Sequence, residues 1–266
     1  MAIDRTAKID RHAELGNDVE VGANTIIDRN VRIGDGTRIG NNVTITGVTQ
    51  IGKKNMIYHN AVLGTVPQST HVDDEPTRLL IGDNNTIREF VTMNVGTVEG
   101  GGITIVGNSN FLMACSHVAH DCVLEDRIVM TNNVLLAGHV KVERCVNLGG
   151  GAAVHQFVTI GEMAFVGGLT PVTQDVPPYV VVDGVDTWPR QLNLVGLRRN
   201  GVTEESIAAL DEAYRLIFRS RLSRAQALER IEAEVRLTPE VRHLADFLRK
   251  TEQRKKGRFL ETTRPD

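Results

Sequence analysis

Residues 115–122 read CSHVAHDC, a stretch that sets two histidines, an aspartate and two cysteines side by side. Thiols and imidazoles spaced this closely are the ligand types of a zinc site. A histidine next to a carboxylate is equally the pairing of a general base, because imidazole titrates near neutrality and can take a proton from a hydroxyl without strong perturbation. Which chemistry the stretch supports depends on where the chain points each side chain.

Those directions are set by a repeat with a period of six. Aliphatic residues recur at Ile9, Leu15, Val21, Ile27, Ile33, Ile39 and onward to Leu63. The phase returns at Ile81, Ile87 and Met93, slips by one residue, and then runs from Val106 through Leu112 and Val118 to Val172. A second, smaller set follows four positions behind, among them Val19, Thr25, Thr37, Ala61 and Val140. Glycine often follows the aliphatic directly, as at Gly16, Gly34 and Gly149. Six residues fit neither a 3.6-residue helix nor long open strands. They fit a parallel β-helix of short strands and tight corners, with the large aliphatic inward and glycine easing the corners. Three hexads close a triangular coil, so residues 18 apart stack on one another. The repeat predicts about eight coils, roughly 40 Å of prism.

Two segments break the phase. Residues 64–80 carry prolines and charges and read as a projecting loop, and 96–102 (GTVEGGG) as a shorter excursion. The β-helix is expected over 1–186. A small helical domain is expected over 187–266, with Thr203 as one N-cap, Ser223 and Gln226 as a capping box, and a third helix near 239–250 behind Thr238-Pro239. The tail from Gln253 is polar and basic.

With the phase in hand the stretch at 115–122 divides. Cys122, four residues after the inward Val118, fills a core slot, whereas Cys115, three after Leu112, points outward. Ligands on different sides of a wall do not converge, which argues against a metal held by the cysteines. His120 falls at an outward corner. Gly138 and Gln156, 18 and 36 residues on, share its column, His139 and His155 flank it, and His117 lies just before the corner. Four of the eight histidines thus gather on one strip. The chemistry this suggests is general-base catalysis on an alcohol, with Asp121 as a candidate partner of the ring. The Gly138 N–H, which carries no side chain beside it, is a candidate donor to a tetrahedral oxyanion.

Composition narrows the classes further. Thirty basic against 33 acidic side chains give a net charge of −3, which argues against a nucleic-acid partner. There is no apolar run long enough to span a membrane and no secretory signal at the charged N-terminus, and three cysteines do not make a disulfide framework. A cytoplasmic protein is expected.

The chain closely resembles the UDP-N-acetylglucosamine 3-O-acyltransferases that begin lipid A synthesis. The likeness rests on EPTR (75–78), IGDNNTIRE (81–89), GTVEGGG (96–102), HVAHDC (117–122), LAGHV (136–140), GGGAAVHQF (149–157), QDVPPYV (174–180) and NLVGLRRNG (193–201), in that order. It implies a mainly β fold, a left-handed parallel β-helix followed by a small α-helical domain. It also implies a homotrimer with active sites in clefts between adjacent β-helices. A 3-hydroxyacyl chain would pass from the phosphopantetheine of acyl carrier protein to the sugar 3-hydroxyl, with no metal or other cofactor. By the resemblance His120 is the base, Asp121 its partner and the Gly138 N–H the oxyanion donor. His117, His139, His155 and Gln156 would line the cleft, Asn193 and Arg199 would reach the nucleotide, and Gly168 would gauge acyl length. Arg198 and Arg199 are candidates to meet the acidic carrier.

The chain departs from the family pattern at four substrate-facing places. Gln68-Ser69-Thr70-His71-Val72 stands for Gln-Asp-Leu-Lys-Tyr, so Ser69 and His71 replace an aspartate and a lysine that contact substrate. Asn94 replaces a histidine and Asn200 an arginine. A paralogue acting on another nucleotide sugar, including N-acylation of an amino sugar, is therefore the competing expectation. A β-helix metal hydratase with histidines between subunits, or a silent scaffold, are the alternatives from other classes.

Overall fold

The computed structural model describes residues 2–69 and 76–252, with only the backbone of 251 and 252. Among the described residues, short strands stack into three sheets of eleven, nine and eight strands, here faces A, B and C of a triangular prism. The chain visits A, B and C in turn, and every pairing within the repeat is parallel. On face B, His117 pairs with Leu135 and Leu135 with Ala153, which is the 18-residue coil expected from the hexads. Inward positions alternate with outward ones. Val118, Leu136, Val154 and Val172 therefore form one buried column, while their strand neighbours face outward.

The corners are turns whose second central residue takes the left-handed conformation. Asp121, His139 and Phe157 have φ of +59°, +62° and +67° on successive coils between faces B and C. Type II turns need such a residue, usually Gly or Asn. Asn24, Asn42 and Asn60 fill the equivalent place at corners elsewhere.

Two coils are longer than the rest. Met56 pairs with Thr86 and Thr86 with Phe111, spacings of 30 and 25 in place of 18. Both extra segments leave the prism at the corner between faces B and C. The first is shorter than 64–80, because Val62–Thr65 and Arg78–Ile81 pair with neighbouring coils as strands. A ladder of asparagines inside the prism spans both insertions. The Asn55 side-chain oxygen accepts from the Asn85 N–H (2.8 Å), that of Asn85 from the Asn110 N–H (2.8 Å), and that of Asn110 from the Ile128 N–H (2.7 Å). Buried backbone N–H groups need partners, and the ladder supplies them where the hexad phase is interrupted, which fixes the register there.

The β-structure continues past 186. Pro189–Leu192 turns back antiparallel on Val180–Val182 after the turn at Gly184, with Arg190 bridging Asp183 and Asp186. Among the described residues four helices follow: α1 (Leu194–Arg199), α2 (Glu204–Phe218), α3 (Arg224–Glu234) and α4 (Pro239–Glu252). Thr203 and the Ser223–Gln226 capping box start α2 and α3 as expected. The apolar stripe of α2, including Ile207, Leu210 and Ile217, is buried. α4 reaches face C through His243, whose Nε2 lies 2.9 Å from Glu143 Oε2. That bond raises the imidazole above its usual value. Burial pushes Glu143 up, but the bond and the charge of His243 outweigh it and leave the carboxyl low.

Candidate active site

The corner between faces B and C brings His120, Asp121, Gly138 and His139 together. The turn at 120–121 brings two sequence neighbours to one side, where a strand would point them apart. His120 Nδ1 lies 2.8 Å from Asp121 Oδ2. A carboxylate only accepts, so Nδ1 carries the hydrogen and Nε2 keeps the lone pair that a base needs. The Asp121 side chain is 2% exposed and that of His120 18%. The carboxylate is further held by Thr97, whose N–H reaches Oδ1 (2.9 Å) and whose hydroxyl reaches Oδ2 (2.6 Å). The Asp121 N–H donates to Thr104 Oγ1 at 2.8 Å.

One coil on, Gly138 lies directly beneath the imidazole. A Cβ at 138 would stand 2.4 Å from His120 Cε1 and 2.7 Å from Nε2, so only glycine fits under the ring. The N–H of Gly138 is open, and no side chain stands on its Cα to screen it. At some other corners the N–H in the same hexad position is taken by a side chain of the next coil. Asn17 donates to Asp35 (2.9 Å), Ala23 to Asn41 (2.9 Å) and Asn108 to Asp126 (2.6 Å). The residue one coil above Gly138 is Gln156, and among the described residues no hydrogen bond from the Gly138 N–H is present.

His139 packs edge-on against His120 with ring centroids 5.1 Å apart, and stacks on Phe157 at 4.4 Å. Its Nε2 is 3.7 Å from Asp121 Oδ2. His117 accepts from or donates to Thr92 Oγ1 at 2.7 Å. Burial holds His117 below the usual imidazole value. Among the described residues His120, Asp121 and His139 are also the one group whose ligand atoms, all within 4.8 Å of one another, could hold a metal ion. Neither nearby cysteine belongs to it. Cys122 is fully buried, with its thiol pushed up to about 12 by burial, and Cys115 is exposed on another corner.

Comparison with known proteins decides the family. Residues 12–47 match the bacterial transferase hexapeptide (six repeats), and residues 175–257 match Udp N-acetylglucosamine O-acyltransferase, Domain 2. An acyl-[acyl-carrier-protein]–UDP-N-acetylglucosamine O-acyltransferase of Herminiimonas arsenicoxydans is 44% identical over 250 residues, 92% of this chain and 95% of its own. The enzyme of the same name from Gloeothece citriformis is 47% identical over 77% of this chain and 73% of its own. LpxA of Acinetobacter baumannii superposes with a TM-score of 0.92 at 38% identity, covering 98% of this chain and all of that one. The chain belongs to the acyl-[acyl-carrier-protein]–UDP-N-acetylglucosamine O-acyltransferase family. It is an acyltransferase, and its fold class is the expected left-handed parallel β-helix followed by helices.

The remaining candidates of this acyltransferase are spread around the prism. His155 and Gln156 are exposed one coil above Gly138, with His155 Nδ1 at 3.3 Å from the Gln156 carbonyl. Gly168 is exposed at the corner between faces A and B, where a Cβ would lie 3.2 Å from the Gly150 carbonyl. Asn193 and Arg199 line a groove of about 820 Å³ between face A and α1, with Val129, Phe165, Val195 and Tyr214. The Asn193 side chain caps α1 by accepting from the Gly196 N–H (3.0 Å) and donates to the Met163 carbonyl (2.8 Å). Arg198 is paired with Glu204 at 2.7 Å, while Arg199 is exposed. His71 lies outside the described residues.

Two of the departures have a structural account. Asn94 is 1% exposed and donates to Thr65 Oγ1 and the Val66 carbonyl, both at 2.9 Å, which ties down the start of the first loop. Asn200 ends α1, its side chain donating to the Gly196 carbonyl at 2.9 Å. Sequence reasoning did not single out Thr97, Thr104 or Phe157. The one signal for Thr97 was the position of GTVEGGG, inserted at the corner just before that of His120.

Proposed function

We propose that the chain transfers a 3-hydroxyacyl group from acyl carrier protein to the 3-hydroxyl of UDP-N-acetylglucosamine, with His120 as general base. The observation that carries this reading is the 2.8 Å bond between His120 Nδ1 and a buried carboxylate, which leaves Nε2 as the acceptor. The sugar hydroxyl gives its proton to Nε2 as its oxygen attacks the thioester carbonyl. Asp121 steadies the imidazolium that forms. The Gly138 N–H receives the oxyanion, the C–S bond breaks as the carbonyl reforms, and the imidazolium returns its proton to the departing pantetheine thiolate. The products are the 3-O-ester and free carrier thiol. The residues of this chain do the proton transfer, and the reaction calls for no cofactor.

The donor and acceptor lie in a cleft shared between copies. His120 stands at the corner opposite face A, whereas Asn193 and Arg199 border the groove on face A. A nucleotide sugar that touches both needs a second copy, in keeping with a closed homotrimer. His117, His139, His155 and Gln156 would line that cleft. The half-exposed Leu135, beside His117 on face B, and Gly168 at its far corner would border the acyl chain. Among the described residues no helix is long and apolar enough to cross a membrane, and both substrates suit a cytoplasmic site.

One observation favours a second reading, a different nucleotide sugar with N-acylation included. Asn94 stands where the resemblance leads to histidine, and its amide is spent on the loop at Thr65 and Val66. The two readings part when a 3-hydroxyacyl carrier is offered UDP-N-acetylglucosamine and its 3-amino analogue at equal concentration. Product masses should show the ester as the main product. Amide alone would replace the first reading with the second.

A further inference from the structure

The excursion at 96–102 is closed on itself. The Gly102 N–H donates to the Thr97 carbonyl (2.7 Å), the Gly101 N–H to the Val98 carbonyl (3.2 Å), and the Gly96 N–H to the Arg78 carbonyl (3.1 Å). This small fold sits on the Asp121 carboxylate. A Cβ on Gly100 would lie 2.2 to 2.4 Å from the three carboxyl atoms, so a side chain there would push the excursion off. Thr97 faces Asp121 with both of its donors.

The direction of the hydroxyl is fixed. Thr97 Oγ1 accepts from the Gly100 N–H at 3.1 Å, a donor shared with the Thr97 carbonyl at 3.1 Å, and because a carboxylate only accepts, the hydroxyl hydrogen goes to Asp121 Oδ2 at 2.6 Å. A single oriented chain results: Gly100 N–H to Thr97 hydroxyl, Thr97 hydroxyl to Asp121, and His120 Nδ1–H to the same carboxylate oxygen. Hydrogen bonds in such a series reinforce one another at a buried site. The carboxyl torsion of an aspartate is otherwise broad, so one partner alone would not fix its plane.

We propose that Thr97 is a positioning residue for acyl transfer, clasping Asp121 so that His120 is held in its Nδ1–H tautomer with Nε2 facing the acceptor hydroxyl. This rests on the reading of His120 as the base. Thr97 acts through Asp121, to which both of its donors point. The glycines beside it let the backbone close over the carboxylate. The excursion is therefore part of the catalytic apparatus, while the longer loop at 66–77 leaves from the same corner one coil earlier.

The test compares Thr97→Val, which keeps the branched shape and the N–H but removes the hydroxyl, with Thr97→Ser, which keeps the hydroxyl. Steady-state rates with 3-hydroxyacyl carrier protein and UDP-N-acetylglucosamine should show kcat of Thr97→Val lowered about 10- to 100-fold, the effect of losing a hydrogen bond to a charged group. KM for the nucleotide sugar should stay within about twofold, and Thr97→Ser should recover most of kcat. In protein labelled with ¹⁵N-histidine, the ring signals of His120 should report the Nδ1–H tautomer in the parent and in Thr97→Ser, and a mixture in Thr97→Val. Full kcat in Thr97→Val, or equal losses in both variants with an unchanged tautomer, would overturn the clasp. If in those same assays His120→Ala is inactive, the base reading survives that failure; if His120→Ala is active, the base reading itself falls.

Discussion

His120→Ala should lower kcat by about 10²- to 10⁴-fold, the usual contribution of a general base, while KM for UDP-N-acetylglucosamine changes little. The effect is confined to the chemistry because the substitution leaves the corner intact. The Asp121 carboxylate still accepts from the Thr97 N–H and hydroxyl, so no buried charge is stranded. The corner backbone is held independently, with the Asp121 N–H on Thr104 and the His139 N–H on the His120 carbonyl at 3.0 Å. Neither His117 nor His139 replaces the lost base. His117 is held by Thr92, and His139 is stacked on Phe157 beside the carboxylate rather than seated over Gly138. Initial rates over a range of nucleotide-sugar concentrations, with a melting curve to confirm folding, check this. A variant with the parent's kcat would remove His120 from the reaction.

Gly138→Ala should reduce kcat by about 10²- to 10³-fold, the range seen when one oxyanion donor is lost. A methyl group at 138 would collide with the His120 ring at 2.4 to 3.0 Å along one edge. The ring cannot simply slide, being tied to Asp121 on one side and packed edge-on against His139 on the other. It must swing off its partner, so the base is misplaced and the N–H is screened by the same change. Stability should move far less than activity. Gly138 is not among the residues with positive φ, so alanine fits the backbone, and its smaller unfolded-state entropy offsets part of the local crowding. Parallel measurements of kcat and melting temperature check this pair of outcomes. A proportionate fall in both would point to a packing defect instead.

How far the sequence reached follows from what a six-residue period can encode. It specifies which side chains face inward and which stack, and so it placed Cys122 in the core and set His120 over Gly138. It does not encode torsions within a corner. That His120 and Asp121 meet depends on the left-handed φ at Asp121, in a turn where Asp stands in the place usual for Gly or Asn. Thr97 was hidden for a related reason, since its contact with Asp121 spans 24 residues and arises within an insertion that breaks the phase. The strand at Pro189–Leu192 and the six-residue α1 were missed because neither carries a periodic apolar pattern. The polar side chains of Asn193 and Asn200 bound α1 instead. By the resemblance Asn193 would reach the nucleotide, and its side chain also caps α1 and bonds the Met163 carbonyl.

The geometry of His120, Asp121 and His139 permits either proton transfer or a metal ion, and the proposed function has the cluster move a proton. The most direct test is to treat the purified protein with a strong chelator, offer it 3-hydroxyacyl carrier protein and UDP-N-acetylglucosamine, and follow the product by mass and linkage. A proton-transferring His120 predicts the 3-O-ester at an undiminished rate. Loss of transfer on chelation, with recovery on adding Zn²⁺, would contradict the account and make His120 a ligand.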